Sequence, residues 1–323
     1  MSRASDFGHL PVLLEPVLEL LNVQEAGTYV DCTMGGGGHS AAILAKLGRN
    51  GRLIAIDRDQ DAQLAGRERL EQVGGEAAFL TVHGNFADLA GIFQELELTG
   101  ADGILADFGV SSWQLDQVGR GFGYSQDGPL DMRMDRSFGP TAADVVNSRS
   151  LDDLVHILRN YGEERYAGRI ASAIIAYRSR QPFRTTGELS EVVRKAMPAA
   201  GRQEAQHPAR RTFQAIRIEV NQELAAIENL LGSAPALLKH GGRLCIITFH
   251  SLEDRLVKEA FRKLENPCTC PREFPVCICG RQPMGRVVTR RAIIASDHEQ
   301  KENPRSRSAK LRCFERLILD TNT

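Results

Sequence analysis

No uninterrupted apolar run in the sequence approaches the roughly 18–20 residues that a membrane-spanning helix needs. The stretch Met1-Ser2-Arg3-Ala4-Ser5-Asp6 lacks the hydrophobic core of a signal peptide. Cysteines are few and odd in number, seven in 323 residues. That argues against a closed disulfide framework and for a reducing compartment. The expectation is a soluble cytoplasmic protein with no membrane partner. What remains is ordinary: 42% hydrophobic, 25% charged, 30 glycines and 13 prolines. Such a composition excludes fibrous, collagen-like and wholly disordered chains, and the length suggests about two domains.

Charge of one sign is absent overall, with 40 basic against 41 acidic residues, yet it is unevenly spread. Residues 1–148 carry net −11, residues 149–217 net +6 and residues 255–317 net +8. An acidic front with two basic blocks suits a small-molecule domain joined to a surface for a polyanion. Solvated helix faces explain the same numbers equally well.

From Gly27 onward strand, glycine turn and helix alternate. Thr28–Thr33, Arg52–Asp57, Phe79–His83 and Gly103–Phe108 read as short apolar strands, with helices near 40–47 and 59–72. That alternation predicts a parallel α/β sheet covered on both faces. It stops at a Gly/Asp/Met-rich stretch, 109–140, and gives way to helical sequence over 150–231. Strand character returns at Arg243–Phe249, after Gly241-Gly242. The expected organisation is one α/β domain, residues 1–110 and 213–323, interrupted by a helical insertion at 111–212. Arg286–Ala295 and Ala309–Leu319 are expected to add two antiparallel closing strands.

The strongest site signal is Asp31-Cys32-Thr33-Met34-Gly35-Gly36-Gly37-Gly38-His39-Ser40, a strand end, a glycine turn and a helix start. Glycine allows close backbone approach to a ligand, and a helix start offers free N–H groups. Asp57 ends the next strand, where nucleotide-binding folds place an acid that accepts both ribose hydroxyls. The spacing fails the dinucleotide fingerprint, because its last glycine would fall on Ser40 or Ala41. S-adenosylmethionine, which has an adenosine but no phosphate, fits better. The plain alternative is a tight turn with Asp57 capping a helix.

Other candidates stand at neighbouring strand ends. Phe86, after the third strand, can stack on adenine or simply fill the core. Asp107, after four apolar residues, can hold the methionine amino group or the methyl acceptor. Gln114 follows closely enough for its amide to close over the ligand. Separately, Cys268, Cys270, Cys277 and Cys279 form two C-x-C pairs. Four thiolates beside Pro271 and Gly280 suit a structural tetrahedral zinc, with free thiols as the alternative.

Three of these segments, Thr33–Ser40, Ala55–Asp59 and Asp107–Ser112, resemble the bacterial 16S rRNA cytosine-N4 methyltransferase family. So do Arg120–Phe122, Asp127–Met134, Tyr161–Arg165, Arg211–Arg217, Phe249–Arg255 and Asn303–Ser308, in order, from about His9 to about Arg316. Phe108 departs from the leucine more usual in that family, a modest apolar change. The resemblance implies a Rossmann-like class I methyltransferase sheet with an inserted helical domain, and S-adenosylmethionine as cofactor. It implies an enzyme that methylates a cytosine amine in the decoding centre of the small ribosomal subunit, on 16S rRNA. Gly37, Gly38, His39, Asp57, Phe86, Asp107 and Gln114 are then the implied cofactor contacts.

The lone pair of a cytosine amine is delocalised into the ring, so transfer needs acceptors that hold its protons and keep it in line. Asp107 is the first candidate. His250, after the last strand, is the second, as orienting group or proton acceptor, with helix capping as its plain alternative. A base within RNA must be splayed out to reach such a pocket. Gly121–Met134 is a candidate clamp, with Phe122 and Tyr124 for stacking. Arg305, Arg307, Lys310 and Arg312 are candidate phosphate contacts.

Overall fold

The computed structural model describes residues 11–202, 207–271 and 273–318. Met1–Asp6, His9 and Leu319, on which sequence expectations fall, lie outside them. In chain order the elements begin with α1 (Leu14–Leu21), β1 (Thr28–Asp31), α2 (Gly38–Leu44), β2 (Arg52–Asp57), α3 (Gln60–Val73), β3 (Ala78–His83), α4 (Leu89–Glu95) and β4 (Ala101–Asp107). Next come α5 (Ser112–Asp116), α6 (Ala142–Ser148), α7 (Leu151–Asn160), α8 (Ala167–Arg178), α9 (Thr186–Ala196), α10 (Ala199–Arg202) and α11 (Arg210–Asn221). The chain ends with α12 (Glu223–Leu237), β5 (Leu238–Thr248), α13 (Ser251–Glu265), β6 (Gly285–Val287), α14 (Asp297–Glu302) and β7 (Lys310–Arg316). Two compact units result, one running to Gly109 and resuming at Leu224, the other Val110–Glu223.

The first unit is built on a seven-stranded sheet in the order β3-β2-β1-β4-β5-β7-β6. The first five strands in that order are parallel, and β7 runs antiparallel to both β5 and β6. Apolar residues alternate across the sheet because successive side chains face opposite ways. Val30, Ile54, Ile56, Ile104, Ala106, Leu244 and Ile246 pack on one face with Ile227 and Leu230 of α12 and Phe261 of α13. Tyr29, Leu53, Ala55, Leu105, Cys245 and Ile247 pack on the other with Leu18 and Leu21 of α1 and Ile43 of α2. Strands buried on both faces are what a parallel sheet requires. The chain leaves β1 for β2 on one side and reaches β4 on the other. That reversal opens a crevice at the carboxyl ends of β1 and β4, the usual ligand position in such sheets.

The closing edge is shorter than expected. The strand foreseen at Arg286–Ala295 is β6, Gly285–Val287, followed by a single bridge from Ile293 to Leu311.

The second unit is helical. Leu154, Ile157 and Leu158 of α7, Ile170, Ala171 and Ile174 of α8, and Leu189 and Val193 of α9 recur at three- and four-residue spacing and share one core. Capping boxes start four of its helices: Ser111 with Gln114, Thr141 with Asp144, Ser150 with Asp153 and Thr185 with Glu188. The unit extends past the expected return at residue 213, because Phe213, Ile216 and Val220 of α11 belong to this core. Phe122, expected to be available for stacking, is buried in the same core. Tyr124 stacks on His207, with ring centroids 4.7 Å apart, and meets Phe213 edge-on.

Candidate active site

The turn after β1 is shaped by the strands beside it. Cys32 N–H donates to Leu105 O and Met34 N–H to Ile56 O, so the backbone stays pinned between both neighbours as it leaves the sheet. Gly35 and Gly37 then take positive φ, +51° and +75°, a region that side chains resist. A Cβ on Gly37 would stand 3.0 Å from Gly66 O of α3. The glycines therefore also serve the close packing of the turn on α3.

Three carboxylates end parallel strands around this turn: Asp31 on β1, Asp57 on β2 and Asp107 on β4. Asp57 accepts from Gly35 N–H at 2.7 Å and Asp59 N–H at 2.8 Å, one bond to each oxygen. Burial pushes its carboxyl up to about 6, against those bonds. Each oxygen keeps a lone pair, which suits a pair of sugar hydroxyls.

Asp31 was not among the sequence candidates, although the strand-end argument that selected Asp57 and Asp107 applies to it. It is buried, accepts from Ser40 Oγ at 2.6 Å and Thr33 N–H at 3.1 Å, and is raised by burial. Its bonds brace the turn. Thr33 Oγ1 accepts from Asp107 N–H at 2.7 Å, coupling the ends of β1 and β4.

Asp107 is arranged differently. Its Oδ1 is buried and has no hydrogen-bond partner among the described residues. Burial, then the negative charges of Asp31 and Glu253, push its carboxyl well above the usual range. His39 is buried beside it, with Nε2 2.9 Å from Val12 O, and a carbonyl can only accept, so Nε2 carries the hydrogen. Its Nδ1 is then an acceptor, 3.8 Å from Asp107 Oδ2, too far for a hydrogen bond. Burial also pushes the His39 imidazolium down, which keeps the ring neutral. Two acceptors and an orphan oxygen face one another with no donor between them. The arrangement fits a ligand rich in N–H or positive charge.

Phe86 follows β3 and tilts against Phe108, with centroids 5.5 Å apart. It is half-buried against the sheet core, so the plain packing role is present and part of the ring remains open. Gly38 opens α2. Gln114 lies in the second unit, buried, where its Oε1 accepts from Ser111 N–H at 2.9 Å in a capping box. His250 is the cap of α13, its Nδ1 facing Glu253 N–H at 3.4 Å and its Nε2 3.0 Å from Glu253 Oε1. The capping role weighed for it is the one found. Glu253, fully buried, also accepts from Phe249 N–H at 2.7 Å and so shapes the loop after β5.

Lys310 and Arg312 donate to the Asp254 carboxylate of α13 at 3.2 and 2.7 Å; Arg312 is largely buried in this pairing, whereas Lys310 stays partly exposed. Arg307 is exposed and Arg305 half-buried, both on the short 3₁₀ turn before β7. The four cysteines converge elsewhere, between α13 and β6, their sulfurs all within 4.8 Å of one another.

Residues 6–317 match the model of the MraW methylase family. The chain is 50% identical over 312 residues to the ribosomal RNA small subunit methyltransferase H of Clostridium botulinum, covering 97% of this chain and all of that one. It is also 50% identical over 311 residues to the protein of the same name from Symbiobacterium thermophilum, covering 96% of this chain and 97% of that one. Among the described residues no helix is long and apolar enough to cross a membrane.

Proposed function

The chain belongs to the MraW methylase family and is an S-adenosylmethionine-dependent rRNA methyltransferase, and we propose that it acts on the exocyclic N4 amine of a cytidine in the decoding centre of 16S rRNA. The observation that supports the site assignment is the unsatisfied Asp107 carboxyl facing the acceptor nitrogen of His39. Bound there, S-adenosylmethionine supplies an electrophilic methyl group together with the positive charge that this crevice lacks.

The remaining work falls to the chain itself. Asp57 accepts the ribose hydroxyls with the lone pairs left free by Gly35 and Asp59. Gly37 and Gly38 bring backbone against the donor, and His39 accepts an N–H through Nδ1. Phe86 offers its open face to the adenine. Asp107 accepts an N–H of the donor's methionine ammonium with one oxygen and an N–H of the cytosine amine with the other, holds that nitrogen in line, and takes the proton released once it is methylated. No stronger base is needed, because the amine becomes acidic on methylation. His250, already committed to the α13 cap, acts as a positioning residue for the loop after β5.

The small ribosomal subunit, in the cytoplasm, is the proposed partner, with the exposed Arg307 and its neighbour Arg305 meeting phosphates. Methyl transfer from labelled S-adenosylmethionine is compared on isolated small subunits, naked rRNA, DNA and protein. Label on a single cytidine N4 of the subunit is the expected result. Label on DNA or protein instead, or binding to the subunit without transfer, would replace this reading.

A further inference from the structure

Between α13 and β6 the chain makes an excursion closed at its base by Met284 N–H donating to Leu264 O at 2.9 Å. Its described residues form no helix or strand, and Phe274, Val276 and Ile278 within it are exposed. The excursion therefore has almost no apolar core of its own, and a long irregular segment needs some other source of order. What the excursion gathers instead is sulfur, with Cys268 and Cys277 exposed and Cys270 and Cys279 half-buried. Cys277 Sγ lies 3.5 Å from Cys268 Sγ, 3.8 Å from Cys270 Sγ and 3.4 Å from Cys279 Sγ. All four cysteines are free thiols, far beyond the roughly 2.05 Å of a disulfide.

We propose that Cys268, Cys270, Cys277 and Cys279 bind one zinc ion as a closed structural site. Zinc–thiolate bonds of about 2.3 Å in a tetrahedron put neighbouring sulfurs about 3.8 Å apart. The three separations sit at or slightly inside that edge length, as expected for a cluster that a small outward adjustment would open around an ion. Ile278 N–H donates to Cys270 Sγ at 3.3 Å, the outer-shell contact that stabilises a metal-bound thiolate. Binding converts four thiols to thiolates, releases their four protons, and leaves the Zn²⁺ site with a charge of −2. With all four positions filled by protein, the ion has no place for water or substrate, so its role is to fold the excursion and not to take part in methyl transfer.

The test is elemental analysis and native mass spectrometry of the full-length protein, made in zinc-supplemented cells and purified without chelator. About one zinc per chain is expected, and Cys277→Ser, which removes the central sulfur, is expected to lose it. Cobalt added to metal-free protein should give the intense visible bands of tetrahedral tetrathiolate coordination. Chelation should speed proteolysis within the excursion while leaving S-adenosylhomocysteine affinity unchanged. Less than about a tenth of an equivalent of zinc, full metal content in Cys277→Ser, or a non-reduced mass showing disulfides among these cysteines would each overturn the proposal.

Discussion

The carboxylates of the two units are the same side chains put to opposite uses. In the helical unit Asp144, Asp153 and Asp127 take hydrogen bonds from Thr141, Ser150 and Thr185, and these bonds hold their carboxyls below the usual range. Their partners lie within the fold, and their job is to start helices or tie turns. In the sheet unit Asp31, Asp57 and Asp107 are buried at strand ends, and burial pushes all three up. Asp31 accepts from Ser40 and Thr33, Asp57 from two backbone N–H groups, and Asp107 Oδ1 from nothing among the described residues. The gradient from satisfied to unsatisfied runs towards the place where a donor would sit. A fold tolerates such a group when something outside the fold completes it.

That contrast breaks first at Asp107. Asp107→Asn is expected to lower methyl transfer by about 10²–10⁴-fold, the range for loss of a positioned proton acceptor. Its melting temperature should hold or rise, since a neutral amide is cheaper to bury than a carboxylate. A large drop in melting temperature would make Asp107 a structural residue like those of the helical unit. Next, Asp57→Ala should weaken S-adenosylhomocysteine binding by about 10–100-fold, the loss of hydrogen bonds to a charged acceptor. Titration calorimetry checks it.

The pH dependence follows from the same groups. The ligand needs the ionised carboxylate, and burial pushes that of Asp57 up to about 6. Affinity for S-adenosylhomocysteine should therefore fall by about tenfold per pH unit below about 6 through Asp57 alone, and Asp107 should extend the rise with pH above that point. An affinity flat from pH 8 to pH 5 would remove Asp57 from the site. Neutralising Arg305 and Arg307 together should raise the RNA concentration needed for half-maximal transfer and flatten its salt dependence, without changing cofactor affinity. Equal losses in both assays would place these arginines in the cofactor site. The smallest effect is expected in the helical unit: Thr141→Ala removes a cap and should cost about 1 kcal/mol of stability, with transfer unchanged.

Much of the sheet unit was legible in the sequence because its strands are continuous apolar runs ending in glycine or an acid. The turn, Asp57 and Asp107 followed from that pattern. Asp31 was missed although it obeys the same rule, since its position just before the glycine turn drew attention to the glycines. Phe122 was misassigned because spacing does not separate a stacking ring from a core ring in a segment without periodicity. Lys310 and Arg312 read as phosphate contacts because Asp254, the carboxylate they share, is more than fifty residues away in sequence and adjacent only once β7 pairs with β5. The end of the helical unit was misplaced because α11 carries the same helical pattern on either side of residue 213, and only its packing shows which core it joins.

The most direct test is calorimetry of S-adenosylhomocysteine binding at pH 6 in buffers of different ionisation enthalpy. The account predicts that the protein releases protons on binding, and that Asp107→Asn releases fewer. Equal proton release from both proteins, or none from either, would contradict the claim that Asp107 is left unsatisfied for the ligand.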